Sequence, residues 1–117
     1  ELSGGEGQLA IIARAIATGA SLMLLDEPTS ELDVKHTLDI VKILNEFKGQ
    51  DKTILVTIHD LNLARRFCDT ISILCGGKLF YSGTPEEAFS EENIRQVFQV
   101  HVREHKYNDI SFLDFYT

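Results

Sequence analysis

Apolar and polar residues alternate along the chain with two different periods. Over residues 9–17 and 34–44, apolar side chains recur every three or four positions, which predicts two amphipathic helices. Residues 22–25 and 53–58 are short apolar runs, and they have the length and flanks of strands buried on both faces, as in a parallel sheet. A third, short helix is expected after Asp60, its N-cap. This succession predicts an α/β fold built from βαβ units.

The pattern changes in the second half of the chain. Two short apolar runs flank residues 75–77, Cys-Gly-Gly, which predicts a tight hairpin. Residues 84–87, Thr-Pro-Glu-Glu, combine an N-cap, a proline at the first helical position and a glutamate at the third, so a helix is expected to begin there. Ser90 is expected to cap another helix. Alternating residues on both sides of residues 108–109, Asn-Asp, predict two further strands.

Composition narrows the function classes. The chain has 117 residues, enough for one small domain, and a formal net charge of −7 with no basic block, which argues against a nucleic-acid partner. No apolar run approaches the roughly 20 residues that span a bilayer, so membrane association is expected only through a partner. Cys68 and Cys75 lack metal or disulfide spacing and indicate reduced thiols. His101 and His105 would suit a metal only on a helix, and their surroundings indicate extended chain.

The first residues carry a candidate anion-binding segment. Ser3, Gly4, Gly5 and Glu6 fit a capping box at a helix N-terminus, and a plain cap is one interpretation. Two glycines cost a helix about 1 kcal/mol each relative to alanine, which favours a second purpose. Bare backbone amides at the positive end of a helix dipole suit a phosphate.

Acidic residues and a histidine follow the predicted strands. Asp26 and Glu27 end the first strand, where α/β sheets place their chemistry, and His59 follows the second. Asp33 stands where an N-cap of the next helix is expected. Taken singly, each of these residues also has a purely structural interpretation.

Together these segments resemble the C-terminal half of an ATP-binding-cassette (ABC) ATPase domain. Residues 2–8 resemble its signature motif, residues 22–28 its Walker B strand, residues 30–33 its D-loop, and His59 its switch histidine. The phosphate loop G-x-x-x-x-G-K-[ST] and the Q-loop of such a domain do not occur in the 117 residues. The resemblance implies a partial P-loop NTPase (RecA-like) core, with a mostly parallel sheet, flanking helices and a C-terminal hairpin. Residues 1–117 would be a C-terminal fragment of one such domain, without the phosphate-loop half.

The resemblance also implies nucleotide contacts for the first segment. Ser3, Gly4 and Gly5, with Glu6 in the same motif, would contact the γ-phosphate of ATP held by a second subunit. Two ATP molecules would then lie between two subunits arranged head to tail.

The remaining motif residues receive roles in the same way. Asp26 would face Mg²⁺ through water, because Mg²⁺ keeps much of its hydration shell. Glu27 would polarise the attacking water as general base, and His59 would hydrogen-bond the γ-phosphate. Asp33 would reach the partner's phosphate loop, although Glu31 replaces the small residue usual in this D-loop.

Two classes of ATPase share these motifs. One comprises transporter subunits and the other the coiled-coil ATPases of DNA repair and chromosome structure. The short spacing between Ser3 and Asp26 leaves no room for a longer inserted helix, and residues 57–64 and 81–87 resemble importer subunits. Residues 94–100 resemble the group that imports iron-siderophores, haem and cobalamin. A non-enzymatic adaptor is the third alternative, and the intact Glu27 and His59 disfavour it.

The resemblance therefore predicts an ATP-hydrolysing subunit of an ABC importer. It would lie on the cytoplasmic face of the plasma membrane, attached to permease subunits and to a second ATPase subunit. Since the phosphate loop and its lysine are missing, we expect the 117-residue chain alone to be inactive. We also expect it to self-associate. In the related fold, the strand that carries the phosphate loop pairs with two strands of this half, and without it their edges are left unpaired and open to another chain.

Overall fold

Residues 4–117, the part of the chain that the computed structural model describes, form five helices and six strands. The residues group into two units that divide after His59. Unit 1 contains α1 (Gly4–Ala17), β1 (Leu22–Asp26), α2 (Val34–Lys48) and β2 (Thr53–Thr57). Unit 2 contains α3 (Leu61–Phe67), β3 (Ile71–Cys75), β4 (Lys78–Gly83), α4 (Pro85–Ala88), α5 (Glu91–Phe98), β5 (His101–Tyr107) and β6 (Ile110–Tyr116).

The sheet of unit 1 is a parallel pair. β1 and β2 run in register from Leu22 opposite Thr53 to Asp26 opposite Thr57. The core of the unit consists of Ile12, Met23, Ile40, Leu44 and Phe47.

Only one face of this sheet is buried. Met23 points into the core, whereas Leu24 and Leu55, paired on the other face, are each 66% exposed. The prediction that both strands are buried on both faces is therefore wrong. A continuous apolar run shows that both faces could be buried, but it does not supply the second covering layer.

Unit 2 begins with a short capped helix and a hairpin. The Asp60 carboxylate accepts a hydrogen bond from the Leu63 backbone N–H at 3.1 Å, so the predicted cap of α3 is confirmed. β3 and β4 pair antiparallel across Gly76 and Gly77, whose φ angles are 58° and 76°. A two-residue hairpin turn of this kind needs left-handed backbone, which glycine adopts without steric cost.

The rest of unit 2 also follows its local sequence signals. The side chain of Thr84 caps α4 and that of Ser90 caps α5. β5 and β6 form a second hairpin that turns at residues 108–109, with Asn108 in the left-handed region at φ 55°. The core of the unit comprises Ala64, Phe67, Ile71, Ile73, Ala88, Phe89, Ile94, Val102 and Leu113.

The α/β class is confirmed, but the parallel part is smaller than expected. Within residues 4–117 the strands form three two-stranded sheets, and β1–β2 is the parallel one. The expectation of a mostly parallel sheet is not met in unit 2, and the reason is simple. Strands joined by two residues can only fold back antiparallel, whereas a parallel neighbour needs a crossover of a dozen residues or more. None of the helices described is long and apolar enough to cross a membrane.

Candidate functional site

The two strands of unit 1 end side by side in polar residues. Thr57 lies opposite Asp26 at the last position of the pair, and its Oγ1 donates a hydrogen bond to Asp26 Oδ1 at 2.6 Å. The same Oγ1 accepts a hydrogen bond from the Glu27 backbone N–H at 2.9 Å. No role for Thr57 is evident from the sequence. If both strands had been assumed to end at the same level, Thr57 would have been expected beside Asp26.

Glu27 begins the loop after β1 with an unusual backbone. Its φ is 47°, in the left-handed region that non-glycine residues rarely adopt. Its N–H also donates to the Thr57 carbonyl at 3.1 Å, and its own carbonyl accepts from Ser30 N–H at 3.1 Å. Pro28, the next residue, is buried. These contacts hold a conformation that would otherwise cost about 1–2 kcal/mol.

The side chains of Glu27 and His59 meet at this edge. His59 Nε2 contacts Glu27 Oε1, although the two residues come from different loops of unit 1. The His59 side chain is 87% exposed and that of Glu27 is 38% exposed, so both can be reached by a solute. A carboxylate in contact with an imidazole can accept a proton from water while the imidazole supplies a hydrogen bond.

Asp26 completes this group with an exposed carboxylate at the strand end. Within residues 4–117 no three or more His, Cys, Asp or Glu side chains gather as ligands for a metal ion. Mg²⁺ does not require such a cage, because it keeps several waters and is usually bound through one or two carboxylates plus substrate phosphates. The position of Asp26 fits a water-mediated contact of this kind.

A second cluster joins the start of α1 to the start of α2. Asp33 caps α2, and its Oδ1 accepts hydrogen bonds from the backbone N–H and the Nδ1 of His36, each at 2.8 Å. These hydrogen bonds, the backbone one first, hold the pKa of Asp33 below its ordinary value. The His36 ring occupies the space that a Cβ on Gly5 would need. Gly5 is therefore required for packing, a role that the motif around it does not reveal.

The other residues of the first segment differ from Gly5. A Cβ added at Gly4 or Gly7 would meet nothing within 4 Å. Glu6 lies on the exposed side of α1. Ser3 lies outside the described residues, so its predicted contact stays a prediction.

The histidines considered for a metal lie on the second hairpin of unit 2. His101 and His105 are on β5, where a separation of four residues corresponds to about 13 Å. His101 stacks on Tyr116 and His105 on Phe112, with ring centroids 5.3 Å and 5.0 Å apart. The two rings thus have different neighbours and no common centre.

Similarity to known proteins identifies the family. A family model described as ABC transporter matches residues 1–30. The hemin import ATP-binding protein of Bradyrhizobium diazoefficiens is 38% identical over 120 residues, which cover 96% of this chain and 45% of that protein. The iron(3+)-hydroxamate import ATP-binding protein of Bacillus subtilis is 45% identical over 100 residues, 85% of this chain and 37% of that protein. The chain belongs to the ABC transporter family of ATP-binding proteins.

A solved structure supports the same assignment. An ABC transporter assigned to the metal-chelate type, in an inward-facing conformation, matches with a TM-score of 0.84 and 31% identity over 97% of this chain and 46% of its own. The family and the fold class predicted from the sequence are thereby confirmed, and the DNA-associated alternative is not favoured. The chain spans less than half the length of these relatives.

Proposed function

We propose that this chain is the C-terminal part of the ATP-binding domain of an importer subunit, which hydrolyses ATP to drive uptake of a metal chelate such as an iron-siderophore, haem or cobalamin. The observation that carries the proposal is the contact between Glu27 and His59 beside Asp26. Two relatives are named as import proteins for hemin and for iron(3+)-hydroxamate, and these names support a metal chelate as the substrate.

In this proposal Glu27 is the general base. Its carboxylate accepts a proton from the attacking water, and the neighbouring His59 donates a hydrogen bond toward the γ-phosphate. Because both side chains are accessible, water and nucleotide can reach them without opening a buried cavity. Asp26 would hold Mg²⁺ through water, and the ion would neutralise charge on the phosphates.

The signature segment and the D-loop face the partner subunit in this proposal. Ser3, Gly4, Gly5 and Glu6 would contact ATP held by a second ATP-binding subunit, and Asp33 would reach the same interface. The open space around Gly4 at the start of α1 supports a close approach of phosphate to backbone amides. Packing of His36 on Gly5, with Asp33 bonded to His36, would keep the two motifs together.

Partners and location follow from the same proposal. Two ATP-binding subunits would work head to tail, docked on membrane-spanning permease subunits at the cytoplasmic face of the plasma membrane. The likeness to a transporter of the metal-chelate type supports such an assembly. The chain itself would make its membrane contact through the permease.

The decisive experiment replaces the proposed base in a protein that carries the whole ATP-binding domain. Glu27→Gln keeps the size of the side chain but loses its basicity, so hydrolysis should fall at least about 100-fold while ATP binding persists. His59→Ala should also lower the rate of hydrolysis strongly. Phosphate release and nucleotide binding by calorimetry measure both effects.

The matched control is Glu46→Gln. Glu46 is an exposed glutamate within α2, and the proposal gives it no part in catalysis or in the subunit interface. It should hydrolyse ATP at nearly the unmodified rate. A Glu27→Gln protein as active as this control would remove Glu27 from the mechanism. The 117-residue chain alone should release no phosphate, since it lacks the phosphate loop.

A further inference from the structure

One hydroxyl group connects the two acidic residues of the site. Thr57 Oγ1 donates to the Asp26 carboxylate at 2.6 Å and accepts from the Glu27 backbone N–H at 2.9 Å. It therefore uses its single proton on the side chain of one residue and a lone pair on the main chain of the next. A bond of 2.6 Å from a hydroxyl to a carboxylate is in the range of strong, charge-assisted hydrogen bonds.

A threonine at this position is unremarkable by sequence alone. β2 also begins with threonine, at Thr53, and β-branched residues are common in strands. Valine would satisfy the same preference, and Val56 is the adjacent residue. Thr57 differs because its hydroxyl makes two hydrogen bonds at the end of the neighbouring strand β1, one with Asp26 and one with Glu27. A valine side chain could make neither hydrogen bond.

Both groups held by this hydroxyl need support. Asp26 is exposed, so its carboxylate would be free to change rotamer without a partner. Glu27 has left-handed backbone that its residue type disfavours. Conformations of this kind persist when the surrounding structure holds them, and they occur often at functional sites.

We infer that Thr57 is a positioning residue for ATP hydrolysis, whose hydroxyl fixes the metal-facing carboxylate of Asp26 and the backbone from which the Glu27 side chain projects. The catalytic consequence rests on the function proposed above, whereas the positioning itself concerns residues within this chain. Because His59 follows Thr57 by two residues, the end of β2 sets the position of both partners of Glu27.

The first test observes the positioning directly by NMR in the 117-residue chain. Three-bond couplings across the Cα–Cβ bond of Asp26 should show one rotamer preferred about tenfold, and Thr57→Val should average them and shift the Glu27 amide resonance. Thr57→Ser keeps the hydroxyl and should preserve both signals. Thr53→Val makes the same substitution at the other end of the strand and should resemble the unmodified chain. Unchanged couplings and amide shift in Thr57→Val would overturn the inference.

The second test measures hydrolysis in a protein with the whole ATP-binding domain. Thr57→Val should lower kcat about tenfold and raise the Mg²⁺ concentration for half-maximal activity, with ATP affinity retained. Thr57→Ser should recover activity to within about threefold. A serine variant as defective as the valine variant would assign Thr57 a packing role and reject the inference. If the unmodified domain hydrolyses no ATP, the proposed function fails, and the NMR measurement still decides whether Thr57 positions Asp26 and Glu27.

Discussion

The two units use left-handed backbone in different ways. In unit 2 it occurs at Gly76, Gly77 and Asn108, residue types that tolerate it, inside the turns of two hairpins. In unit 1 it occurs at Glu27 and Glu31, in the loop that follows β1. The remaining left-handed residues stand at or shortly after helix ends: Gly19, Asp51 and Gln99.

The difference is one between local sequence preference and contacts with residues distant in the chain. A turn made of glycine or asparagine specifies its hairpin locally, because the sequence prefers the conformation that the fold requires. Glutamate at φ 47° has no such preference, and contacts from another strand hold Glu27 in place. The backbone of Glu27 is therefore held by tertiary contacts and not by local sequence preference.

The largest effect in unit 1 is expected at Gly5. Gly5→Ala would place a methyl group where the His36 ring lies, at the contact between α1 and α2. Overpacking of this kind destabilises by about 1–3 kcal/mol. Thermal unfolding of the 117-residue chain, followed by circular dichroism, measures the loss.

Two variants isolate the cause of that loss. Gly7→Ala adds the same methyl group to the same helix where nothing lies within 4 Å, and it should stabilise by up to about 1 kcal/mol. Adding His36→Ala to Gly5→Ala should recover part of the stability. Equal effects of Gly5→Ala and Gly7→Ala would mean that His36 does not pack as described.

These packing contacts show where sequence reasoning stops. The hairpin at residues 75–77 and the cap at Asp60 were predictable because each depends on neighbouring residues. Asp26, Glu27 and His59 were predicted as site residues through the resemblance to ABC ATPases. The role of Thr57 depends on the register between strands, and that of His36 on how two helices approach, and neither is encoded in a short motif.

Burial of the strands was mispredicted for a related reason. The apolar run of β1 shows that both of its faces are suited to a core, but Leu24 on the second face is exposed. Periodicity describes a strand and not the layers that cover it. Leu24 and Leu55 therefore leave an apolar surface that the pattern alone could not reveal.

This exposed apolar surface is the reason why we expect the chain to self-associate. Leu22, Leu24 and Leu55 lie together on the exposed face of the parallel pair, and such patches tend to associate. Light scattering over a concentration series should show dimers of the 117-residue chain, and Leu24→Lys should weaken them about tenfold. Leu74→Lys changes a leucine of unit 2 that is 71% exposed and should have less effect. Equal weakening by both, or a monomer at all concentrations, would contradict this assignment.

The strained backbone of Glu27 leads us to expect a smaller change in the free energy of unfolding, in a defined direction. Glycine adopts φ 47° freely, so Glu27→Gly should be neutral or stabilise the chain by up to about 1 kcal/mol, with part of the gain offset by the flexibility of glycine in the unfolded chain. Glu46→Gly, the same substitution within α2, should destabilise by about 1 kcal/mol. Urea unfolding of both variants gives the comparison. If both destabilise equally, Glu27 is not strained.

The smallest expected effect concerns an ion pair in unit 2. Arg65 on α3 donates to Glu104 Oε1 at 2.7 Å and to Ser111 Oγ at 2.8 Å, which ties the helix to the second hairpin. The hydrogen bond from Arg65 lowers the pKa of Glu104 below its ordinary value of 4.5. A carboxyl group whose pKa is lower in the folded than in the unfolded chain stabilises the fold fully above the unfolded value, and this contribution is lost as the pH falls through the folded value.

Glu104→Gln should therefore unfold at a slightly lower temperature than the unmodified chain at pH 7, and the gap should close as the pH is lowered below 4.5, the ordinary pKa of the carboxyl group. The gap should be small, because the Glu104 side chain is open to solvent, which weakens its attraction to Arg65. The three tyrosines, Tyr81, Tyr107 and Tyr116, all lie in unit 2 and the chain has no tryptophan, so tyrosine fluorescence reports this unit selectively. Asp109→Asn, an exposed change in the turn of the same hairpin, is the control. A gap that stays constant as the pH falls well below 4.5 would show that α3 and the hairpin are held together without the charge on Glu104.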